Sequence, residues 1–220
     1  MIPKIIHYCW FGRLQKNELV IKCMDTWKKL LPDYEIVEWN EDNFDVNSSA
    51  YTKDAYRHKR YAFVADYVRL HALKQYGGIY LDTDVEVVKN LNEFLDNKSF
   101  LGYEHPQRVA TCLMGSEKDG TFINDFFNIY NNNIYHKSNI TPNTQLLRSL
   151  LRSKNVALNG EFTLIADYTV IYPIDYFVAK IWETGKYCIS DNTYAVHHYN
   201  ASWVTPAIKI RNVVRKIIKG

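Results

Sequence analysis

The sequence predicts an α/β domain with a mostly parallel central sheet, and three features of the chain support this fold class. Strand-like and helix-like segments alternate along its 220 residues. The first of these segments form a strand–helix–strand unit, and a Gly-Gly pair later separates a long helix from an apolar strand. Alternation of this kind is typical of helices that pack on the faces of a parallel sheet.

The strand–helix–strand unit lies at the N-terminus. Residues 4–9 are an apolar run, as expected for a buried strand. Asn17 can cap a helix whose apolar residues recur at helical spacing until the next proline. Glu35–Trp39 is predicted to be the second strand. Ligands usually bind where the first strand of such a unit ends, so we expect a site beside His7 and Trp10.

A second helix is predicted over Tyr61–Tyr76. Its apolar residues share one face, and Gly77 can adopt the left-handed conformation that ends many helices. Residues 79–81 then begin an apolar strand. Three later segments, two helical and one extended, are predicted at residues 122–130, 144–151 and 163–173.

Composition excludes several classes of protein. Hydrophobic residues make up 47% and charged residues 23% of the chain, which excludes a mainly disordered protein. No apolar run reaches the ~18 residues of a membrane-spanning helix, and no secretory signal is expected at the N-terminus. The four cysteines are scattered without a Cys-x-x-Cys pair, which disfavours a zinc knuckle or a redox dithiol. We therefore expect a cytoplasmic protein.

The most informative segment follows the Gly-Gly pair, where Asp82 and Asp84 leave the end of a predicted strand. Alternate residues of a strand point to one face, so we expect the two carboxylates side by side. Adjacent carboxylates repel each other unless a cation lies between them. Hard oxygen ligands suit Mn²⁺ or Mg²⁺, which commonly also bind phosphate. The pattern predicts a metal–diphosphate site, with a solvated acidic pair on a surface turn as the alternative.

Asp66 and Arg69 lie one helical turn apart on the preceding helix. They could form a simple intrahelical ion pair, worth about 0.3–0.5 kcal/mol. Alternatively, the helix delivers a carboxylate for sugar hydroxyls and a guanidinium for phosphate beside the two aspartates. The spacing alone leaves both interpretations open.

Three motifs, taken in order, resemble glycosyltransferase family 32. The central motif runs from Asp66-x-x-Arg69 to the stretch GGIYLDTD at residues 77–84. Residues 2–10 (IPKIIHYCW) are similar to the opening motif of the family, and residues 195–203 (AVHHYNASW) to its closing motif. The family includes capsular polysaccharide and yeast mannan sugar transferases, and it is related to the glucosylating domains of large clostridial toxins.

The resemblance implies a GT-A fold, a single Rossmann-like domain that binds a nucleotide-sugar and a divalent metal and transfers the sugar with retention of configuration. By their positions in the motifs, Trp10 would stack on the nucleotide base, with His7 and Tyr80 in the same site. Asp66 and Arg69 would hold the donor sugar and the diphosphate.

The resemblance also implies the metal ligands. Asp82 would contact the metal and the hydroxyls of the ribose or sugar, and Asp84 would bind the metal directly. His197 is the first choice for a C-terminal ligand and His198 the second. A lid over the diphosphate would contain Ser202 and Trp203.

Cofactors and substrates are implied only as classes. The metal would be Mn²⁺ or Mg²⁺, and UDP-hexose is favoured over GDP-mannose as the donor. The acceptor would be a lipid-linked glycan, and the reaction would be a step in the synthesis of a capsule or another surface polysaccharide.

Two further residues and three rival functions remain open. Asn143 and Gln145 are candidates for the donor or acceptor pocket, although a capped turn is the simpler explanation. A haloacid-dehalogenase-like phosphatase also has Asp-x-Asp after a strand, but Glu86 stands where that motif requires Thr or Val. The other rivals are a non-catalytic carbohydrate-binding domain and a toxin-like transferase that acts on protein.

The net charge of +3 is concentrated at the C-terminus. After Asp191 there is no acidic residue, whereas five basic residues lie between positions 209 and 219, and removing these five leaves −2. Basic and apolar residues there follow an amphipathic helical pattern, which suits an anionic membrane surface. We expect a transferase domain over residues 1–206 and a basic helix over 207–220. The helix would bind the inner face of the membrane or dock on the transferase domain. No pattern indicates nucleic-acid binding.

Overall fold

The fold is built around a seven-stranded sheet, seen in a computed structural model that describes residues 1–131 and 141–200. The elements in chain order are β1 (Ile5–Cys9), α1 (Glu18–Leu30), β2 (Glu35–Trp39), α2 (Ala50–Arg57), α3 (Tyr61–Tyr76), β3 (Gly78–Leu81), β4 (Val85–Val87), a short 3₁₀ helix (Asn92–Phe94), β5 (Ser99–His105), β6 (Arg108–Ser116), α4 (Thr121–Asn131), α5 (Asn143–Ser153), β7 (Thr163–Ile165), β8 (Thr169–Tyr172), α6 (Ile174–Phe177) and β9 (Ala195–His197). Within the described ranges, no helix combines the length and apolarity needed to cross a membrane.

The strand order in the large sheet is β2-β1-β3-β6-β5-β8-β7. β1 is parallel to both β2 and β3, and β5 is parallel to β8, whereas β6 and β7 run antiparallel to their neighbours. Five of the seven strands therefore point in one direction, which confirms the predicted α/β fold with a mostly parallel sheet. A separate antiparallel pair is formed by β4 and β9.

Side chains that alternate between the faces of the sheet build two cores. In β3, Tyr80 packs with residues of α3, α4 and α5, while Ile79 and Leu81 pack with residues of α1 and α6 on the other face. Trp27 of α1 is fully buried there, and its indole N–H donates to the Val85 carbonyl (2.8 Å). Helices thus cover both faces, and the ends of the strands remain available for a site.

The predicted elements of the N-terminal third are present. The Asn17 side chain accepts a hydrogen bond from the Val20 amide (3.0 Å) and caps α1. α3 ends at Tyr76, and Gly77 has the expected positive φ of +68°. Sequence patterns did not identify α2, which is short and polar, or the β5–β6 hairpin, whose residues are buried on both faces and do not alternate.

Candidate active site

Asp82 and Asp84 lie in the turn that follows β3, at the carboxyl end of that strand. The Asp82 amide donates to the Cys112 carbonyl of β6 (2.7 Å), and the Val85 amide donates to the Asp82 carbonyl (3.0 Å). The side chains are mostly covered, with 27% of Asp82 and 15% of Asp84 exposed. The turn therefore holds two carboxylates close together at the edge of the protein.

His197 reaches this turn from the other end of the chain. β9 pairs with β4, and the register places His197 opposite Val85. The imidazole Nε2 lies 3.3 Å from Asp84 Oδ1, and the Asn200 amide donates to Asp84 Oδ2 (2.7 Å). His198 points elsewhere, because its Nε2 lies 2.7 Å from a Glu86 carboxylate oxygen. The structure thus brings His197, and not His198, to the aspartates.

Asp82, Asp84 and His197 form a group of potential metal ligands. Each offers one donor atom, and the three atoms lie within 4.8 Å of one another. Burial, together with the charge of Asp84, raises the pKa of Asp82. Burial also acts to raise the pKa of Asp84, but the hydrogen bond and charge of His197 and the backbone amide donors together lower it. The Nδ1 atom of His197 is buried and, among the described residues, has no hydrogen-bond partner. Two carboxylates and an imidazole are a donor set that suits Mn²⁺, so these residues fit a divalent metal.

Arg69 of α3 connects Asp66 to Asp82. Its Nη2 lies 3.0 Å from Asp66 Oδ1 and 3.3 Å from Asp82 Oδ1. Nη1 donates to the carbonyl (2.7 Å) and the hydroxyl (3.2 Å) of Thr111, and Nε donates to the Ala65 carbonyl (3.3 Å). Three hydrogen bonds thus go to Ala65 and Thr111, while Nη2 lies at ion-pair distance from two carboxylates. The guanidinium therefore orients Asp66 and Asp82, and its contact with the diphosphate stays a prediction.

Tyr80 also contacts Asp82 and Arg69. Its hydroxyl donates to Asp82 Oδ1 (2.9 Å), and the Arg69 guanidinium carbon lies 4.5 Å from the centre of its ring. The side chain is fully buried, because residue 80 of β3 points into the core on the α3 side. Tyr80 therefore positions Asp82, and its contact with the nucleotide-sugar stays a prediction.

Asn143 joins the site through Asp66. Its Nδ2 donates to Asp66 Oδ1 (2.6 Å), and burial raises the pKa of this carboxyl. The capping explanation for Asn143 is wrong, because Pro142 holds the cap position of α5 and no side chain caps that helix. Gln145, the other candidate, is exposed on α5. Asp66 and Asn143 together offer polar groups next to the aspartate turn.

Thr111 is a site residue that sequence reasoning missed. Its hydroxyl accepts from Asn143 Nδ2 (2.7 Å) as well as from Arg69. It lies on β6, which neighbours β3 only through long-range pairing. No local pattern could have identified it.

A cleft of about 510 Å³ opens at the carboxyl ends of β1 and β2. Trp10 lines it, with its indole N–H donating to the Leu14 carbonyl (2.6 Å) and the Lys16 ammonium 5.4 Å from its ring centre. Glu38 holds that ammonium at 2.7 Å. The cleft lies where a ligand was expected, and an aromatic ring on its wall suits a flat base.

His7 does not line this cleft. Its Nδ1 accepts from the Trp39 indole (3.1 Å), which leaves Nε2 to donate to the Gly77 carbonyl (2.8 Å). Burial lowers the pKa of His7 to about 4, so the ring is neutral near pH 7. Both ring nitrogens are thus used inside the core. In this arrangement His7 connects β1 to the junction of α3 and β3, and its contact with a ligand stays a prediction.

Three predictions lie outside the described residues. They are the lid residues Ser202 and Trp203 and the basic helix over residues 207–220.

Comparison with known proteins gives a family match over the region just described. Residues 17–101 match the family of the glycosyltransferase sugar-binding region containing the DXD motif. Inositol phosphoceramide mannosyltransferase 3 of Schizosaccharomyces pombe is 31% identical over 129 residues, which are 56% of this chain and 35% of that protein. Mannosyl phosphorylinositol ceramide synthase CSH1 of Saccharomyces cerevisiae is 32% identical over 123 residues, 53% of this chain and 32% of that protein. The chain spans about a third of the length of these curated relatives.

A solved structure shares the fold along nearly the whole chain. It is a glycosyltransferase involved in the glycosylation of the major capsid of PBCV-1, with a TM-score of 0.55, 11% identity, and coverage of 97% of this chain and 100% of that one. Identity this low shows the GT-A fold alone. The match over residues 17–101 adds the DXD motif, which corresponds to Asp82-Thr83-Asp84 in this sequence. Over residues 17–101, the chain is therefore similar to the DXD-containing glycosyltransferases.

Proposed function

We propose that this chain is a metal-dependent, retaining glycosyltransferase that moves a hexose from a nucleoside diphosphate sugar to a glycan acceptor. The observation that carries the proposal is the group Asp82, Asp84 and His197, with three donor atoms within 4.8 Å. It follows β3, next to the cleft at the ends of β1 and β2. A metal between these residues and a nucleotide in that cleft would share the diphosphate.

The chemistry follows from the leaving group. Breaking the anomeric bond builds negative charge on the diphosphate, and Mn²⁺ or Mg²⁺ held by the three ligands would neutralise it. Asp66 and Asn143 would bind hydroxyls of the donor sugar. Arg69 keeps Asp66 and Asp82 oriented through its buried contacts of 3.0 and 3.3 Å.

Retention is proposed to occur by front-face attack. The sugar develops oxocarbenium character as the leaving group departs. Asp66 and Asp82 both bind the Arg69 guanidinium, which makes them weak nucleophiles for a covalent intermediate. Attack by the acceptor hydroxyl on the face that the diphosphate leaves is the alternative, and this arrangement favours it.

The donor and acceptor are proposed as classes. We favour a UDP-hexose, and the mannosyltransferase names of two relatives add GDP-mannose to the donors to be tested. Those names also refer to inositol phosphoceramide lipids, which supports a lipid-linked acceptor. Synthesis of a surface polysaccharide is a role consistent with such an acceptor.

The central test is Asp84→Ala. We expect turnover to fall at least about 10²-fold, because one metal ligand and its charge are lost. Hydrolysis of UDP-glucose, UDP-galactose and GDP-mannose would be measured with Mn²⁺ and with EDTA, beside p-nitrophenyl phosphate as a phosphatase substrate. Asp25→Ala, an exposed aspartate on α1, is the control and should retain full activity. Near-normal Mn²⁺-dependent turnover by Asp84→Ala would show that the assignment is wrong, and hydrolysis of p-nitrophenyl phosphate alone would favour a phosphatase.

We also propose that the basic segment 207–220 attaches the protein to the inner face of the membrane. Its five basic residues would each contribute about 1 kcal/mol at an anionic surface. Deleting residues 207–220 should abolish sedimentation with vesicles that contain phosphatidylserine, and salt should weaken binding of the full chain. Unchanged sedimentation of the truncated protein would exclude this role.

A further inference from the structure

An exposed tryptophan lies beside the candidate metal ligands, on a segment that the proposed function has not used. Residues 180–187 fold back on themselves: Lys180 and Tyr187 form a β-bridge, and the Ile181 amide donates to the Lys186 carbonyl (2.8 Å). Trp182 lies within this hairpin, and 42% of its surface is exposed. Burying a tryptophan is favourable, so a ligand that covers this ring would gain binding energy from it.

Trp182 is connected to His197 by a single intervening ring. The Trp182 and Tyr199 rings have centroids 5.1 Å apart, and those of Tyr199 and His197 are 4.0 Å apart. A sugar ring on Trp182 would thus be one ring removed from a candidate metal ligand.

Tyr199 carries two independent signs of a functional position. Its backbone φ is +55°, a conformation that is strained for an aromatic residue, and strained residues cluster at functional sites. Its hydroxyl is buried, and the described part of the chain offers it no hydrogen-bond partner. A buried hydroxyl without a partner is costly, and a hydroxyl of a bound sugar would satisfy it.

Charged groups border the tryptophan. The Arg108 guanidinium, at the start of β6, pairs with Glu104 of β5 and lies 3.0 Å from a Glu183 carboxylate oxygen. These contacts anchor the hairpin that carries Trp182 to the large sheet. Glu183 and Arg108 remain partly exposed, at 47% and 36% of their side chains, and both can bind sugar hydroxyls.

The sheet order separates this region from the nucleotide cleft. Trp10 belongs to the β1–β2 side of β3, whereas Glu104 and Arg108 belong to the β6–β5 side. The aspartate turn follows β3, between the two sides. A donor on one side and an acceptor on the other would meet at the metal.

We propose that Trp182, Tyr199 and the Arg108–Glu183 pair form the subsite for a sugar ring of the acceptor. The proposal rests on the glycosyltransferase function proposed above. The apolar face of the sugar would stack on Trp182, because aromatic rings pack favourably against such faces. Its hydroxyls would bind Tyr199, Arg108 and Glu183.

A direct binding experiment tests the subsite without turnover. The indole N–H signal of Trp182 in ¹⁵N-labelled protein is identified by its loss in Trp182→Ala. Methyl α-D-mannopyranoside, methyl α-D-glucopyranoside and methyl β-D-galactopyranoside are then added to the full chain. We expect at least one of them to shift this signal. Tyr76→Ala is the control, because it removes another exposed aromatic ring, which precedes β3. The Trp182 signal of this control should show the same shift. A Trp182 signal that none of the three sugars moves would overturn the proposal.

A second measurement uses the partition between transfer and hydrolysis. With a donor that the protein turns over and a methyl hexoside as acceptor, Trp182→Ala should lower the ratio of transfer to hydrolysis about tenfold, and Trp182→Phe should lower it less. A variant that merely misfolds loses both reactions together and gives no ratio, so the test uses a variant that still hydrolyses the donor. An unchanged ratio in such a variant counts against the subsite. Failure of the proposed function would look different, because the unaltered protein would then turn over no donor at all.

Discussion

Replacing Arg69 by Leu removes the one cation that pairs with Asp66 and Asp82 among the described residues. The guanidinium lies 3.0 Å from one carboxylate and 3.3 Å from the other. The side chain of Asp66 is only 10% exposed, so water cannot replace the lost partner. Asn143 remains as a neutral donor to Asp66, and Tyr80 as a neutral donor to Asp82.

The expected cost is large for a single substitution. Removing one partner of a buried ion pair costs about 3–5 kcal/mol. Protonation limits this cost, because burial already raises the pKa of Asp66 to about 7 with Arg69 in place. Near and below pH 7 this carboxyl takes up a proton at little further cost, and above pH 7 the limit rises by about 1.36 kcal/mol per pH unit. We therefore expect Arg69→Leu to lose more unfolding free energy at pH 8 than at pH 5, by at least about 1 kcal/mol.

The sign of this pH dependence can be checked directly. In the variant the folded-state pKa of Asp66 rises further above the value of about 7 that it has beside Arg69, so the loss of stability is smallest at low pH and grows as the pH rises above about 7. Urea unfolding followed by tryptophan fluorescence at pH 5 and pH 8, for the variant and the unaltered protein, measures it. Arg13→Leu is the matched control, because it breaks an ion pair with Asp42 that is mostly exposed and should cost no more than about 1 kcal/mol. The reasoning is refuted if Arg69→Leu costs no more than Arg13→Leu, or if its cost does not depend on pH.

Two further predictions concern the scaffold around the site. Burial lowers the pKa of His7 from its ordinary 6.5 to about 4. The free energy of unfolding should therefore fall as the pH drops from about 6.5 towards 4, by about 2 kcal/mol at pH 5. Urea midpoints of His7→Asn should lack this part of the decline, and the same decline in His7→Asn would contradict the prediction. Gly77→Ala should cost about 2 kcal/mol or more, seen as a lower Tm, because φ is +68° and a Cβ would lie 2.7 Å from the Lys118 backbone nitrogen. Gly185→Ala is the control, because its φ is +71° and no atom lies within 4 Å of the added Cβ, so it should show only the cost of the backbone strain. An equal fall in Tm for Gly77→Ala and Gly185→Ala would exclude the steric contribution at Gly77.

Local patterns were sufficient where the structure depends on neighbouring residues. The bounds of α3 follow from its apolar periodicity and from the glycine that ends it. The aspartate turn follows from the short apolar strand before it. Both features involve residues less than a few turns apart, so a single sequence contains the required information.

Local patterns were insufficient where a side chain's role depends on what packs against it. His7, Arg69 and Tyr80 form hydrogen bonds to other groups of the protein that their spacing in the sequence did not indicate. Residue type and spacing do not distinguish a polar group that faces a ligand from one that is satisfied internally. Asn143 shows the opposite case, since an apparent capping residue contacts Asp66.

By itself, the sequence determined the α/β class and the two acidic motifs, because strand and helix periods and short spacings are local properties of a chain. Only the tertiary structure decided which residues meet. Pairing of β9 with β4 brings His197 to Asp84 and places the Asn200 amide on a carboxylate 116 positions earlier. Pairing of β6 with β3 brings Thr111 to Arg69. Contacts of this kind arise from the packing of distant segments, and the physical constraint that selects them is the burial and hydrogen bonding of the whole sheet.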